Sequence, residues 1–425
     1  MSILNQQISA NITNNKLTHQ IVIVGGGAAG ITVAAQLLKK DRNLDLAIIE
    51  PSEKHYYQPA WTLVGGGQYQ IENAVKDEQD CIPNGAKWIK AYVEKFDPDH
   101  NLVITRDRQE IKYNYLIVCP GIQIDWHLIQ GLKEAIGKDG VTSNYSKDYA
   151  PYTWESINKF SGGNAIFTYP VTPIKCGGAA QKIMYMTDET LRKRGVRNKS
   201  NIIFCTPGAK MFGVPEYSES LDKVIKEKNI EVKFKHNLKA IKPETKEAIF
   251  TVNTGTEIEE ISIKYDLLHV TPPMSAPEFI KNSKLAVQNG SMQGWVDVNQ
   301  YTLQHNLYAN VFSLGDVAGL PTSKTAAAIR KQAPVVVKNI LSLIQSRQVN
   351  EEYNGYTCCP LITGYGKVIM AEFNYENKPI SSFLLNPTKP RYSMWLVKRY
   401  ALPWLYWNRM LKGEPFEPDI LRELF

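Results

Sequence analysis

The stretch Ile21-Val22-Ile23-Val24-Gly25-Gly26-Gly27-Ala28-Ala29-Gly30, continued by a helical run Ile31 to Lys40 and a second strand Leu44 to Ile49 ending in Glu50, decides the fold. A β-branched strand, a glycine turn and a helix start in direct succession make a βαβ unit with G-x-G-x-x-G spacing. Each residue type has a physical task. Gly25 permits the tight turn, Gly27 lets a pyrophosphate approach the backbone, and Gly30 lets helix and strand pack closely. The helix N-terminus offers N–H donors and partial positive charge to phosphates. Glu50 lies about twenty residues after the last glycine, where it can accept from both ribose hydroxyls and repel a 2′-phosphate. The unit therefore predicts a dinucleotide site and favours FAD or NAD over NADP.

The chain around it has 425 residues and a formal charge of +7, a balance too mild for a nucleic-acid binder. Charged residues are 21% and the hydrophobic set 43%, which excludes wholesale disorder and leaves room for two or three domains. The longest apolar run, Ile21 to Leu38, reads as strand, turn and helix start and not as a membrane span. Residues 1–19 lack arginine and an apolar signal core, and are expected to be a flexible leader. Cysteines at 81, 119, 176, 205, 358 and 359 include no CxxC pair, so no bound metal is expected. Cys81, Cys119 and Cys205 are expected to be structural.

Two later strands, Tyr113 to Cys119 and Asn310 to Leu314, end in Pro120-Gly121 and in Gly315-Asp316. Behind Asp316 come Ser323-Lys324 and an alanine-rich helix, Thr325 to Ile329. A nucleotide site recruited from both ends of the chain resembles the flavin disulfide reductase superfamily. In the second α/β segment, the strand Asn164 to Tyr169 runs into Pro170-Val171-Thr172-Pro173-Ile174-Lys175-Cys176, where prolines and a lysine occupy the turn that should cradle a pyrophosphate. The strand Asn201 to Cys205 leads into Thr206-Pro207-Gly208 and fails the pattern as well. The expected fold class is α/β, with two Rossmann-like dinucleotide-binding-type domains (the FAD/NAD(P)-binding fold) and a C-terminal amphipathic membrane-associating segment. The expected divisions are residues 20–150 and 291–350 for the FAD-binding domain, 151–290 for a second domain without an NAD fingerprint, and 351–425 for a redox-cysteine and membrane/quinone segment.

Four segments resemble the sulfide:quinone oxidoreductase family, in the branch that includes the mitochondrial enzyme. They are His55-Tyr56-Tyr57-Gln58-Pro59 with Trp61 to Gly65, Pro173 to Gly178 with Gln181 to Met184, Gly315-Asp316 through Ala328, and Tyr356-Thr357-Cys358-Cys359-Pro360-Leu361. The resemblance covers nearly the whole chain. It implies oxidation of hydrogen sulfide, storage of sulfur as a protein persulfide, transfer of that sulfur to a small acceptor such as glutathione or sulfite, and delivery of two electrons through FAD to ubiquinone or menaquinone. By the same resemblance Cys176 and Cys359 are the redox pair, with the persulfide on Cys359 or, equally open chemically, on Cys176. Adjacent strand residues face opposite ways, so one of Cys358 and Cys359 should face the flavin; the Cys-Pro-Leu match favours Cys359, and Cys358 could substitute.

For the cofactor the resemblance implies Gly25, Gly27, Ala28, Ala29, Gly30, Glu50, Gln58 and the backbone of Val93 about adenosine and pyrophosphate. Gly315 and Asp316 should hold the ribityl chain, with Lys324, Ala326, Ala327, Ala328 and Ile329 near the isoalloxazine. Lys175 and the helix after Gly178 are the expected sources of positive potential for the Cys176 thiolate. His55 is expected to be structural. From Ser393 to Lys412, Trp395, Leu396, Leu402, Trp404, Leu405, Tyr406, Trp407, Met410 and Leu411 interleave with Lys398, Arg399, Arg409 and Lys412. Two amphipathic helices broken at Pro403 would place the aromatics in a lipid interface and the basic groups at headgroups; packing of the aromatics on the protein's own core is the alternative. These features place the protein at the periphery of a membrane, bacterial inner or mitochondrial inner. A type II NADH:quinone oxidoreductase is the alternative function, and it leaves Cys176 without a role.

Overall fold

The computed structural model describes residues 17–255, 257–382 and 385–415. The strand β1 (Leu17–Val24) is flanked by β2 (Leu46–Ile49) and, on its other side, by the long strand Glu110–Val118, all parallel. Its central residues Ile21, Val22 and Ile23 are fully buried, as expected for a parallel sheet covered on both faces. Between β2 and the long strand, in chain order, come β3 (Ala86–Ile89), β4 (Val93–Asp97) and β5 (Leu102–Thr105); the long strand is β6. The sheet order is β3-β2-β1-β6-β5-β4, and a late strand, Val311–Ser313, pairs with β6. One sheet is thus assembled from both ends of the chain. β1 begins at Leu17, inside the stretch expected to be a leader.

The turn after β1 obeys the glycine logic. Gly25 has φ +107°, and a Cβ on Gly30 would stand 1.9 Å from the Gly25 carbonyl oxygen. Helix α1 (Ala28–Lys40) therefore crosses the end of β1 at a distance that only glycine allows, with its N-terminus at the carboxyl edge of the sheet.

The second unit is a five-stranded parallel sheet with β7 (Val141–Thr142), β8 (Gly163–Thr168), β9 (Ser200–Thr206), β10 (Glu231–Phe234) and β11 (Leu267–His269), in the order β7-β11-β8-β9-β10. Helix α2 (Ala179–Lys193) packs beside it and has its N-cap at Gly178, just past the proline-rich turn. After the late strand β12 (Val311–Ser313) comes α3 (Ala326–Ile344), which starts on a Thr325 side chain accepting from the Ala328 N–H. The hairpin β13 (Thr357–Gly364) and β14 (Lys367–Phe373) then lies between the two units.

The C-terminal stretch is a single helical run and not two helices broken at proline. α4 (Tyr392–Leu396) passes through a π-helical turn, Val397–Ala401, into α5 (Leu402–Asn408). Pro403 falls in the first turn of α5, where its missing N–H costs little, and the wider turn before it keeps the axis continuous.

The second unit is held by one buried carboxylate. Asp188 on α2 has a fully buried side chain and accepts from Arg197 Nε at 2.7 Å, Arg192 Nε at 2.9 Å and Lys228 Nζ at 2.9 Å. Burial pushes its pKa up, but the three cationic donors outweigh burial and hold it below the ordinary value. Since the folded pKa lies under the unfolded one, the stabilisation is present above the ordinary aspartate range near pH ~4 and is lost as pH falls through the folded value. Asp188→Ala removes the shared acceptor of three cations, of which only Lys228 keeps a carboxylate partner, Glu189 at 2.7 Å, and should destabilise the protein by about 3–5 kcal/mol. Urea midpoints across pH 3–7 should show this gap at neutral pH and its narrowing in acid.

Candidate functional site

A single cavity of about 1230 Å³ receives the ends of both sheets, the hairpin and the C-terminal helices. One end is the cradle at the β1–α1 turn. Gly26, Gly27, Ala28 and Ala29 line it, and a Cβ on Gly27 would meet nothing within 4 Å, so that backbone is open to a ligand. The α1 N-cap has no side-chain acceptor, which leaves the first N–H groups of the helix for a phosphate. The Glu50 carboxylate is fixed by the N–H of Gly26 and of Ser52, each at 2.7 Å. Burial raises its pKa, against the pull of those two donors. These residues fit the adenosine and pyrophosphate of FAD.

The other end of the cradle is built late in the chain. Gly315, Asp316, Lys324, Ala326, Ala327 and Ile329 line the same cavity. Lys324 is buried, donates to the carbonyls of Asp316 at 2.6 Å and Ala318 at 3.1 Å, and sits over the Trp295 ring. Burial lowers its pKa to about 8. Gln58 lines the cavity and accepts from Lys175 Nζ at 2.8 Å. Gly25 and Gly30 act through the turn and the helix contact instead of the wall, and Ala328 is buried in α3 and does not line the cavity. Val93 does not line the cavity: it is buried in β4, on the far edge of the sheet.

Cys176 stands where the proline-rich turn meets α2. Its N–H donates to the Lys324 carbonyl at 2.8 Å, its own carbonyl accepts from Ala179, and its φ is +51°, a left-handed conformation that costs energy for a non-glycine residue. The surroundings hold the sulfur toward the cavity in spite of that cost. Lys182 Nζ lies 3.0 Å from the Cys176 sulfur. A hydrogen bond from the Cys359 thiol and the charge of Lys182, with Lys398 further off, outweigh burial and hold Cys176 well below the ordinary thiol range. Cys359 moves the other way, raised by donating to Cys176 and by burial. The arrangement pairs a partly exposed, low-pKa thiol on the cavity, Cys176, with a fully buried, high-pKa thiol, Cys359.

Three expectations change here. The cation beside Cys176 is Lys182, since Lys175 turns away to Gln58 and the Trp61 ring. Strand alternation sends Cys359 to α2 and Cys176, while Cys358 lines the cavity with Pro360. Cys359 is fully buried and lies just behind the cavity wall, in contact with Cys176. Lys398, expected at lipid headgroups, is 3% exposed, donates to the Pro59 carbonyl at 2.9 Å and lines the cavity, its pKa lowered by burial to about 7. Sequence reasoning missed Lys398 as a site residue because a lysine among aromatics reads as a solvated face. Lys182 carried a signal, one helical turn past the Gly178 cap and therefore on the side of α2 that holds Cys176.

His55 is a structural tie, with Nδ1 3.1 Å from Glu78 and Nε2 2.6 Å from the Tyr406 hydroxyl, which fastens α5 to the FAD-binding domain. Trp395, Tyr406, Trp407, Met410 and Leu411 are buried on the protein's own core, against the expectation that they face lipid. Tyr392, Leu396, Tyr400 and Trp404 remain exposed, each four residues after the last, and form one outward row. No helix among the described residues is long and apolar enough to cross a membrane, and no group of three metal-ligating side chains occurs among them.

Comparison with known proteins gives three relations. Residues 19–149 match the Pyridine nucleotide-disulphide oxidoreductase family. Mitochondrial sulfide:quinone oxidoreductases of Dictyostelium discoideum and Mus musculus are 49% and 43% identical to this chain, covering 95% and 96% of it and 88% and 89% of their own lengths. The solved sulfide:quinone oxidoreductase of Aquifex aeolicus superposes with a TM-score of 0.80 at 21% identity, covering 96% of this chain and 94% of its own, which shows the shared fold.

If Lys182 holds the thiolate, Lys182→Met should move the pH midpoint of Cys176 alkylation upward by roughly one unit or more. Iodoacetamide labelling rates at Cys176, followed by mass spectrometry from pH 5 to 10, measure it. An unmoved midpoint would place the stabilising charge elsewhere.

Proposed function

The chain belongs to the sulfide:quinone oxidoreductase family, and on that premise we propose that Cys176 and Cys359 are its sulfide-oxidising pair and that the exposed C-terminal row is its membrane contact. It is a flavoprotein that oxidises sulfide and reduces a quinone, with FAD as cofactor. The observation that carries the site assignment is the contact of Lys182 with the Cys176 sulfur, beside Cys359 and on the wall of the cavity that holds the dinucleotide cradle.

In the oxidised pair, hydrosulfide attacks the Cys359 sulfur, the bond to Cys176 breaks, and Cys176 leaves as the thiolate. The lower-pKa thiol is the better leaving group, and that is the reason to place the persulfide on Cys359. Lys182 stabilises the thiolate as it forms. A small acceptor such as glutathione or sulfite removes the outer sulfur, which leaves Cys359 as the thiol. The Cys176–Cys359 bond re-forms as the pair gives up two electrons, and the Cys359 proton passes to solvent or to a neighbouring base. Bound FAD supplies the two-electron acceptor between this pair and the quinone. Lys324 and the first turn of α3 place positive potential at the end of the cradle where negative charge would develop. The proline-rich turn in the second unit stands against the NADH-dependent alternative.

The row Tyr392, Leu396, Tyr400 and Trp404, flanked by Arg391 and Arg399, suits the interface of a bilayer, where a quinone with an isoprenoid tail resides. The reading places the protein at the periphery of a membrane, and the names of its relatives from Dictyostelium and mouse point to a mitochondrial one.

Anaerobic sulfide should bleach the flavin of the purified protein, and a short-chain quinone should restore it; bleaching by NADH alone would overturn the reading. Cys176→Ser should retain FAD and lose sulfide bleaching, and a mutant that bleaches at the parental rate would remove Cys176 from the mechanism. Tyr400→Glu with Trp404→Glu should lower the vesicle-bound fraction in flotation by about tenfold or more, with sulfide bleaching in detergent preserved.

A further inference from the structure

The hairpin β13–β14 has a second face. Cys358 pairs across the ladder with Glu372, and Pro360 with Met370, so these four side chains point together into the cavity while Cys359, Ala371 and Leu361 point to α2. Glu372 is 2% exposed, yet its carboxylate is fully engaged. Oε1 accepts from the Tyr356 hydroxyl at 2.5 Å and from the Ser382 hydroxyl at 2.6 Å, and Oε2 accepts from the Ser382 N–H at 2.8 Å. Tyr356 is buried and also bonded by Arg330, whereas Ser382 is exposed. A carboxylate on the cavity wall therefore stands one hydroxyl away from water.

We infer that Glu372 delivers a proton from solvent, through Ser382, to the quinone as it is reduced. This rests on the proposed quinone reduction and places the quinone in the same cavity, whose wall includes Lys398, Leu402 and Leu405 of the C-terminal helices that carry the exposed row. The reduction takes up two electrons and two protons. FAD, when bound, would supply the two electrons and, after taking up a proton on reduction, one of the protons; the other proton leaves the Glu372 carboxylic acid for a quinone oxygen, and water reprotonates the carboxylate by way of the Ser382 hydroxyl. The groups that face Glu372 are Cys358 across the strand, Tyr356 with Arg330 of α3 behind it, Ser382, and Tyr217 of the helix Pro215–Lys228, whose hydroxyl donates to the Glu372 carbonyl at 2.9 Å. Glu372 is joined directly to the exposed Ser382, which places it, among these groups, to exchange a proton with water.

The test uses the detergent-solubilised holoenzyme, reduced anaerobically with sulfide and then mixed in stopped flow with decyl-ubiquinone or with ferricenium, which accepts electrons without a proton. Glu372→Gln should slow reoxidation by the quinone at least about tenfold, with the ferricenium rate within about twofold of the parent. Ser382→Ala, a surface change, should slow the quinone rate several-fold and leave the ferricenium rate alone. Equal slowing with both oxidants would make Glu372 a packing residue, and an unchanged quinone rate in both variants would remove it from proton delivery. Should Glu372→Gln lose its flavin, the Ser382→Ala comparison decides between these outcomes. Failure of the parent to bleach with sulfide would instead sink the assignment on which the inference rests.

Discussion

A β-strand sends adjacent side chains to opposite faces, and at Cys358 and Cys359 that constraint divides the chemistry of the molecule. The hairpin lies between two α/β units, so one of its faces meets α2 and the other meets the cofactor cavity. Cys359 is thereby pressed against Cys176, which stands in the turn before α2 and lies far away in the chain. A slip of one residue in the register would put Cys358 beside Cys176 and turn Glu372 into the interior. The cross-strand pairs Cys358 with Glu372 and Pro360 with Met370 hold that register.

The cavity itself is an electrostatic device. Lys182, Lys324 and Lys398 are all buried on its wall, and Lys175 is half-buried beside them. Burial lowers the pKa of Lys175, Lys324 and Lys398, and only Lys182 is raised, because it faces the thiolate of Cys176. Their hydrogen bonds go to an amide oxygen, a sulfur and backbone carbonyls and not to carboxylates, which is tolerable for cations withdrawn from water when the site is meant to hold negative charge. A pyrophosphate, a reduced flavin and a thiolate supply that charge. Asp316 shows the reverse response, raised by burial against the pull of Lys324 and Lys175.

The C-terminal helices serve two surfaces at once. Their inner side carries Lys398 to the cavity and Tyr406 to His55, and their outer side presents the row from Tyr392 to Trp404. The π-helical turn makes this possible by adding width between the two helices without breaking the run, so that every fourth residue keeps one outward direction. Composition alone does not separate these sides, because both are rich in aromatic residues.

Local chemistry was legible in the sequence wherever a residue type is dictated by backbone geometry or by its immediate neighbours. The glycine turn at 25–30, the acidic end of β2, the Gly315-Asp316 turn and the proline-filled turn before Cys176 each state their purpose within a few residues. The tertiary structure decided what depends on how separate elements meet. It chose Lys182 over Lys175 as the neighbour of Cys176, turned Lys398 inward, buried Trp395, Tyr406 and Trp407, and kept Val93 off the cavity wall. The physical reason is the same in each case: a side chain's direction is set by its own backbone, but whether that direction leads to water, to core or to a reacting sulfur is set by elements packed against it from elsewhere in the chain.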